Sequence, residues 1–249
     1  MKIKVHYTFL ILLNISILCG LFNDILAVFL IILLHELGHL IFLKYYKRET
    51  ESLTIFPYGG IIKYQSDKNT FLYEDFLISI GGIIINVILF FILFFTARGT
   101  LLYKYNIEIM LFNILPIFPL DGGRALEILL GKILKFRYSL LATFLISILC
   151  IIVLFFINIL TSNLLIFTLV LLYLILENYQ AFKDRELRYY HFLLNKLLHP
   201  NDKLKNKEIK NPNNLIKQFY KGVNNVIGKS NKKIKESQIL KKYFNSFKR

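Results

Sequence analysis

Cysteine is almost absent: two residues among 249, Cys19 and Cys150, in different apolar runs. Isolated in that way they make neither a metal-binding spacing nor a disulfide framework, and packing is the role left to them. Acidic side chains are also scarce, with 16 Asp and Glu against 31 Lys and Arg and a formal charge of +15. The basic excess lies mostly after residue 177, beside a membrane whose inner face is anionic. Attraction to that lipid surface accounts for it without a nucleic-acid partner. Internal repeats are missing, and no file of further polar residues runs through the apolar segments. Both would be expected of a transporter, so transport is disfavoured.

What the chain has in excess is apolar surface: 55% of its residues are hydrophobic and the mean hydropathy is +0.53. That composition excludes an ordinary soluble domain. Crossing hydrocarbon takes roughly 20 predominantly apolar residues. Such runs fall at about 5–22, 25–43, 76–96, 138–158 and 162–177, the last on the short side. A sixth, at about 107–120, is shorter still and carries Pro116 and Pro119. The first run follows Lys2 and Lys4 and lacks a small-residue cleavage site, so it reads as a retained span. The expectation is an all-α polytopic membrane protein of about six transmembrane helices.

Charge then orients it. With both termini in the cytoplasm, the inside segments hold Lys2 and Lys4, then Lys44, Lys47, Arg48, Lys63 and Lys68, then Arg124, Lys132, Lys135 and Arg137, and the basic tail. The outside loops hold only Arg98 and Lys104. The inverted arrangement would violate the positive-inside rule. Residues 1–177 form the membrane core and 178–249 a basic cytoplasmic tail. Within the core, 44–75 is a polar interruption containing FPYGGIIKY (56–64), which reads as a strand or short hairpin at the membrane edge. In the tail, DRELRYYHFLLNKLL (184–198) has helical periodicity, and the last part suits a small strand-and-helix unit.

The segment FLIILLHELGHLIFL (29–43) places three polar side chains inside a membrane-length apolar run. His35 and His39, at i and i+4, project from one helical face and can reach one Zn²⁺, with Glu36 beside them as a base for a water. Ionisable groups at mid-span cost about 2.5–3.5 kcal/mol on insertion scales and are functional by default. The bland alternative is a pair of histidines bonded to neighbouring helices.

A catalytic zinc usually takes three protein ligands. His6, His191 and His199 lie at the start of the first run or in the tail, Asp24 at a loop and Glu177 at the end of the last run. Asp121 stands out, in LFNILPIFPLDGGR (111–124). Pro116 and Pro119 remove backbone donors, Gly122 and Gly123 permit unusual φ, and irregular backbone at membrane depth is tolerated only where protein or a wet cavity surrounds it. Otherwise DGGR is a loop turn with Arg124 as an inside anchor. Asn113 in the same segment is placed to donate to a substrate carbonyl or a developing oxyanion, or to bond a neighbouring helix. Gly59 and Gly60 allow close backbone approach, so an extended substrate could add to the FPYGG strand; an ordinary Gly-Gly turn reads equally well.

H-E-x-x-H in the second run, with Asn113, Pro116, Pro119, Asp121 and Gly122 in the form N-x-x-P-x-x-P-x-D-G, resembles the site-2 protease family of intramembrane zinc metalloproteases. The opening KVHYTFLILL (4–13), the FPYGG loop and the closing ESQILKKYF resemble its sporulation branch. The resemblance implies one zinc held by His35, His39 and Asp121, with Glu36 as base and Asn113 assisting the substrate or oxyanion. Pro116 and Pro119, with Gly59 and Gly60, are then substrate-binding positions. It implies a membrane-associated pro-sigma factor, pro-sigma-K, as substrate, membrane regulators that hold the enzyme off, and a location in the membrane around the forespore. Two features depart from the pattern. Many relatives carry G-P-x-x-N, where GIIIN (82–86) here has Ile83 in place of proline, leaving the role of Asn86 open. The tail has room for little more than one degenerate CBS-like unit, and no stretch is left for a PDZ domain. Against the protease stand a zinc-binding membrane protein without proteolysis (a transporter or an inactive regulator) and the same chemistry acting on an anti-sigma factor.

Overall fold

The computed structural model describes residues 2–5, 7, 14, 16–56, 59–64, 70–161, 164–209, 215–229 and 232–246. The chain divides into two compact units, one of residues 1–66 and 77–115, the other of 67–76 and 116–249.

The first unit is built on α1 (Phe22–Tyr45), a helix long and apolar enough to cross a membrane. It packs against α3 (Gly81–Thr96) and α4 (Leu101–Ile114), which also pack on each other. Thr100 starts α4 by accepting from the Tyr103 N–H on its hydroxyl, at 3.4 Å. Such a cap satisfies one of the amides that a helix start leaves over. β1 (Lys2–Val5), β2 (Thr50–Phe56) and β3 (Gly59–Tyr64) form a sheet in that order. β1 runs parallel to β2, and β2 antiparallel to β3. Pro57 and Tyr58 of the FPYGG motif, and residues 6, 8–13 and 15 of the expected first span, lie outside the described residues.

Two apolar runs are not the continuous helices that length alone suggests. The 76–96 run is split between α2 (Leu72–Ser79) and α3, bent by 46°. The break falls where Gly81 and Gly82 weaken helix propensity. The 107–120 run stops being helical at Ile114. Leu115 precedes Pro116 and takes φ −56°, ψ 134°, the extended region into which a following proline ring forces its neighbour. Six spans are therefore not what the described helices present. Two of them are long and apolar enough to cross a membrane, α1 and the 136–159 stretch, and α2 with α3 makes a third if the bent pair counts as one span. The fold is mostly helical, with two small sheets.

The second unit runs α5 (Asp121–Ile133), α6 (Phe136–Thr161), α7 (Leu164–Lys183) and α8 (Arg185–Leu198). A sheet β4 (Asn206–Glu208), β5 (Asn224–Lys229), β6 (Lys232–Lys235) and α9 (Glu236–Ser246) follow. Phe136 and Leu140, from the first turns of α6, share a core with Tyr189, Leu193, Ile209, Phe219 and Leu240. The tail therefore folds onto the end of an apolar helix and does not close a core of its own, as expected for so short a segment.

Within that core Lys196 is 1% exposed. Its ammonium donates to both Glu236 carboxylate oxygens, at 3.0 and 3.1 Å, and to the Val223 carbonyl at 2.6 Å. Glu236 also accepts from the Asn225 amide N–H at 2.8 Å and from its side chain at 3.0 Å. Burial pushes the Lys196 ammonium below its ordinary value, against the pull of Glu236. Removing one partner of such a pair strands the other charge. Lys196→Met is expected to cost about 3–5 kcal/mol in denaturant unfolding of the full chain, and adding Glu236→Gln to recover part of that loss.

Candidate metal centre

HELGH occupies the second half of α1. The helical spacing brings His35 and His39 together, both buried, and their Nε2 atoms stand 3.3 Å apart. The Nδ1 of His39 lies 2.8 Å from the Ile78 carbonyl oxygen. A carbonyl only accepts, so Nδ1 carries the proton and Nε2 is left with the lone pair. This is the arrangement that orients a metal-binding imidazole and settles its tautomer. The His35 Nε2 lies within hydrogen-bond distance of that lone pair, so either a proton or a cation can sit between the two nitrogens. At metal–nitrogen bonds of about 2.0–2.1 Å, a 3.3 Å separation subtends roughly 104–111°, which brackets the tetrahedral angle. The pair therefore fits zinc.

Glycines bring α3 against this face of α1. A Cβ on Gly38 would overlap the Gly81 carbonyl, and one on Gly82 would overlap the His35 ring. Backbone and ring are thus in direct contact where any larger residue would separate them. Sequence alone does not identify Gly82 as the surface under His35, because only the helix pairing shows which glycines face which. One turn on from Gly82, Asn86 is fully buried, and its backbone carbonyl accepts from the Asn106 side chain at 3.0 Å. Glu36 is half-buried on the same helix as the two histidines.

The other named residues are placed as follows. Asn113 lies in the last turn of α4, where its side-chain N–H donates to the Ile109 carbonyl at 3.0 Å. Gly59 and Gly60 open β3, opposite Phe56 and Ile55, and β3 is an edge strand among the described residues. Pro116 and Pro119, both half-buried, belong to the non-helical stretch before α5. Asp121 is the first residue of α5 and is buried at 7% exposure. A carboxylate there is favoured by the positive end of the helix dipole.

Residues 24–102 match the family model described as Peptidase family M50. The chain is 31% identical over 145 residues to stage IV sporulation protein FB of Bacillus subtilis, covering 55% of this chain and 50% of that protein. It is 29% identical over 154 residues to a zinc metalloprotease of Methanocaldococcus jannaschii, covering 55% of this chain and 44% of the relative. The match thus spans half or less of the length of these curated relatives. Among solved structures, the site-2 protease from Methanocaldococcus jannaschii aligns with a TM-score of 0.54 at 26% identity, covering 72% of this chain and 89% of that one. Together these findings show the resemblance to the site-2 protease family that the two motifs carry.

The glycine contacts yield a pair of expected outcomes. Gly38→Ala should lower the unfolding free energy by about 1–3 kcal/mol, since the overlapping group is backbone and cannot rotate away. Gly82→Ala should displace the His35 ring and weaken zinc retention about 10–100-fold, as read by metal content after dialysis against a chelator.

Proposed function

We propose that this protein is an intramembrane zinc metalloendopeptidase of the site-2 type, with His35, His39 and Asp121 holding the metal. The observation that carries the reading is the imidazole pair, with the His39 tautomer set by Ile78 and the two Nε2 atoms 3.3 Å apart. The burial of Asp121 at a helix start and the match to zinc metalloprotease relatives support it. Zinc, when bound, supplies Lewis-acid polarisation of a carbonyl and brings the pKa of a water to about 7.

The chain's own groups do the rest. Glu36, one residue from His35, accepts a proton from the attacking water and returns it to the leaving nitrogen. Asn113 spends one N–H on Ile109, and an amide has a second to offer a carbonyl oxygen as charge develops there. A helical substrate hides its amides in i to i−4 bonds and must unwind before attack. The outer edge of β3, unpaired among the described strands, suits an extended segment adding as a further strand, with Gly59 and Gly60 permitting close approach and the rigid turns at Pro116 and Pro119 lining the substrate path.

The likeness to stage IV sporulation protein FB supports a membrane-associated pro-sigma factor, pro-sigma-K, as substrate, with membrane regulators and a forespore-membrane location. The inside-positive charge supports cytoplasmic termini. In this reading residues 1–177 are the protease core and 178–249 a basic tail with one CBS-like unit.

Coexpression with pro-sigma-K and gel mobility of the substrate test the reading. Glu36→Gln should reduce cleavage at least 10²-fold with zinc content unchanged, whereas Asp121→Asn should lose both. Cleavage that survives Glu36→Gln would sink the mechanism. Bound zinc without cleavage by the wild type would redirect the search to another substrate, such as an anti-sigma factor.

A further inference from the structure

The stretch 115–120 is non-helical backbone beside apolar helices, where unpaired amides and carbonyls are costly. Three of its backbone groups, the Phe118 N–H and the Pro116 and Phe118 carbonyls, are satisfied by two side chains from elsewhere in the second unit. Ser147 of α6 accepts the Phe118 N–H on its hydroxyl oxygen at 3.0 Å and donates the hydroxyl proton to the Pro116 carbonyl at 3.4 Å. Asn178 of α7 donates to the Phe118 carbonyl and, at 2.8 Å, to the Leu174 carbonyl of its own helix. The Ile117 carbonyl is taken by Leu120 N–H at 2.9 Å. Ser147 and Asn178 are both fully buried, as is Ile117 between them.

Ser147 differs from its neighbours on the same face of α6. Ser139 and Thr143, two turns and one turn earlier, donate into their own helix, to the Phe136 and Ser139 carbonyls at 2.8 and 2.9 Å. Those bonds are local and common for hydroxyls in apolar helices. The hydroxyl of Ser147 reaches out of its helix and holds two backbone groups of another segment. That segment in turn supports the start of α5. A Cβ on Gly123 would overlap the Ile117 carbonyl group and the Phe118 nitrogen, so the first turn of α5 rests directly on the peptide that Ser147 and Asn178 hold. Asp121 belongs to that turn.

We propose that Ser147 and Asn178 are positioning residues for Asp121, fixing the 116–118 backbone on which its helical turn is seated. This rests on the reading of Asp121 as a metal ligand. Neither side chain is itself a ligand or a catalytic group. Each acts by removing backbone freedom from the carboxylate's support, as outer partners of metal ligands commonly do.

The test uses the full chain in detergent, with zinc affinity measured by chelator competition and unfolding of the zinc-free protein measured in parallel. Ser147→Ala and Asn178→Leu should each weaken zinc affinity about 10–100-fold, with zinc-free unfolding midpoints within a few degrees of wild type. Ser147→Thr keeps the hydroxyl and should restore affinity. The double variant should lose less than the product of the single losses, since both act through one peptide. Affinity within about threefold of wild type in both single variants would overturn the proposal. So would a loss that Thr does not rescue and that only follows the fall in stability. Asp121→Asn runs alongside: if it binds zinc as tightly as wild type, the metal-ligand reading fails. The clamp is then judged by amide exchange in the zinc-free chain, where faster exchange at Phe118 in Ser147→Ala upholds it and unchanged exchange removes it.

Discussion

A polar group surrounded by apolar side chains must find a partner, and much of this molecule follows from that requirement. Water is not at hand to satisfy a stray amide or carbonyl, and leaving one unpaired costs on the order of 1–3 kcal/mol. Helices meet the requirement within themselves. Wherever the chain leaves a helix inside its apolar part, a specific side chain or backbone group from another element must supply what the helix no longer does. The interruption before α5 is held by Ser147 and Asn178. The α2–α3 break exposes the Ile78 carbonyl, which is taken by His39.

That second pairing joins structure to chemistry. A helix broken near Gly81 frees a carbonyl one turn before the break, and the carbonyl sets the tautomer of a histidine on α1. Close packing of α1 on α3 through glycines makes the approach possible. The break, the glycines and the imidazole tautomer are thus one arrangement, and substitution at any of them should be felt at the others. In the tail the same rule governs a charge: Lys196 is tolerated at 1% exposure because Glu236 and the Val223 carbonyl hold its three protons.

The local readings that succeeded depend on short spacings. The i, i+4 histidines lie on one face of a helix whose extent the apolar run already outlines, and Pro116 ends α4 by sterics confined to adjacent residues. Readings based on run length fared worse. The 76–96 run is continuous in hydropathy and broken in structure, because hydropathy does not register where glycines make a bend cheap. The tail looked too small for a core, and it obtains one by using Phe136 and Leu140, residues that composition assigns to an apolar helix.

By itself, then, the sequence determined the apolar character of the chain, the histidine pair with its neighbouring glutamate, the proline-interrupted segment ending in Asp121, and the direction of the charge asymmetry. Each follows from residue types at separations of a few positions, or from composition. Only the tertiary structure decided which nitrogen of His39 is left to bind, which glycine faces the His35 ring, and which of the hydroxyls of Ser139, Thr143 and Ser147 on one face of α6 serves another segment. Those depend on contacts between residues 29 to 60 positions apart, where no local spacing carries the information and the pairing of helices supplies it.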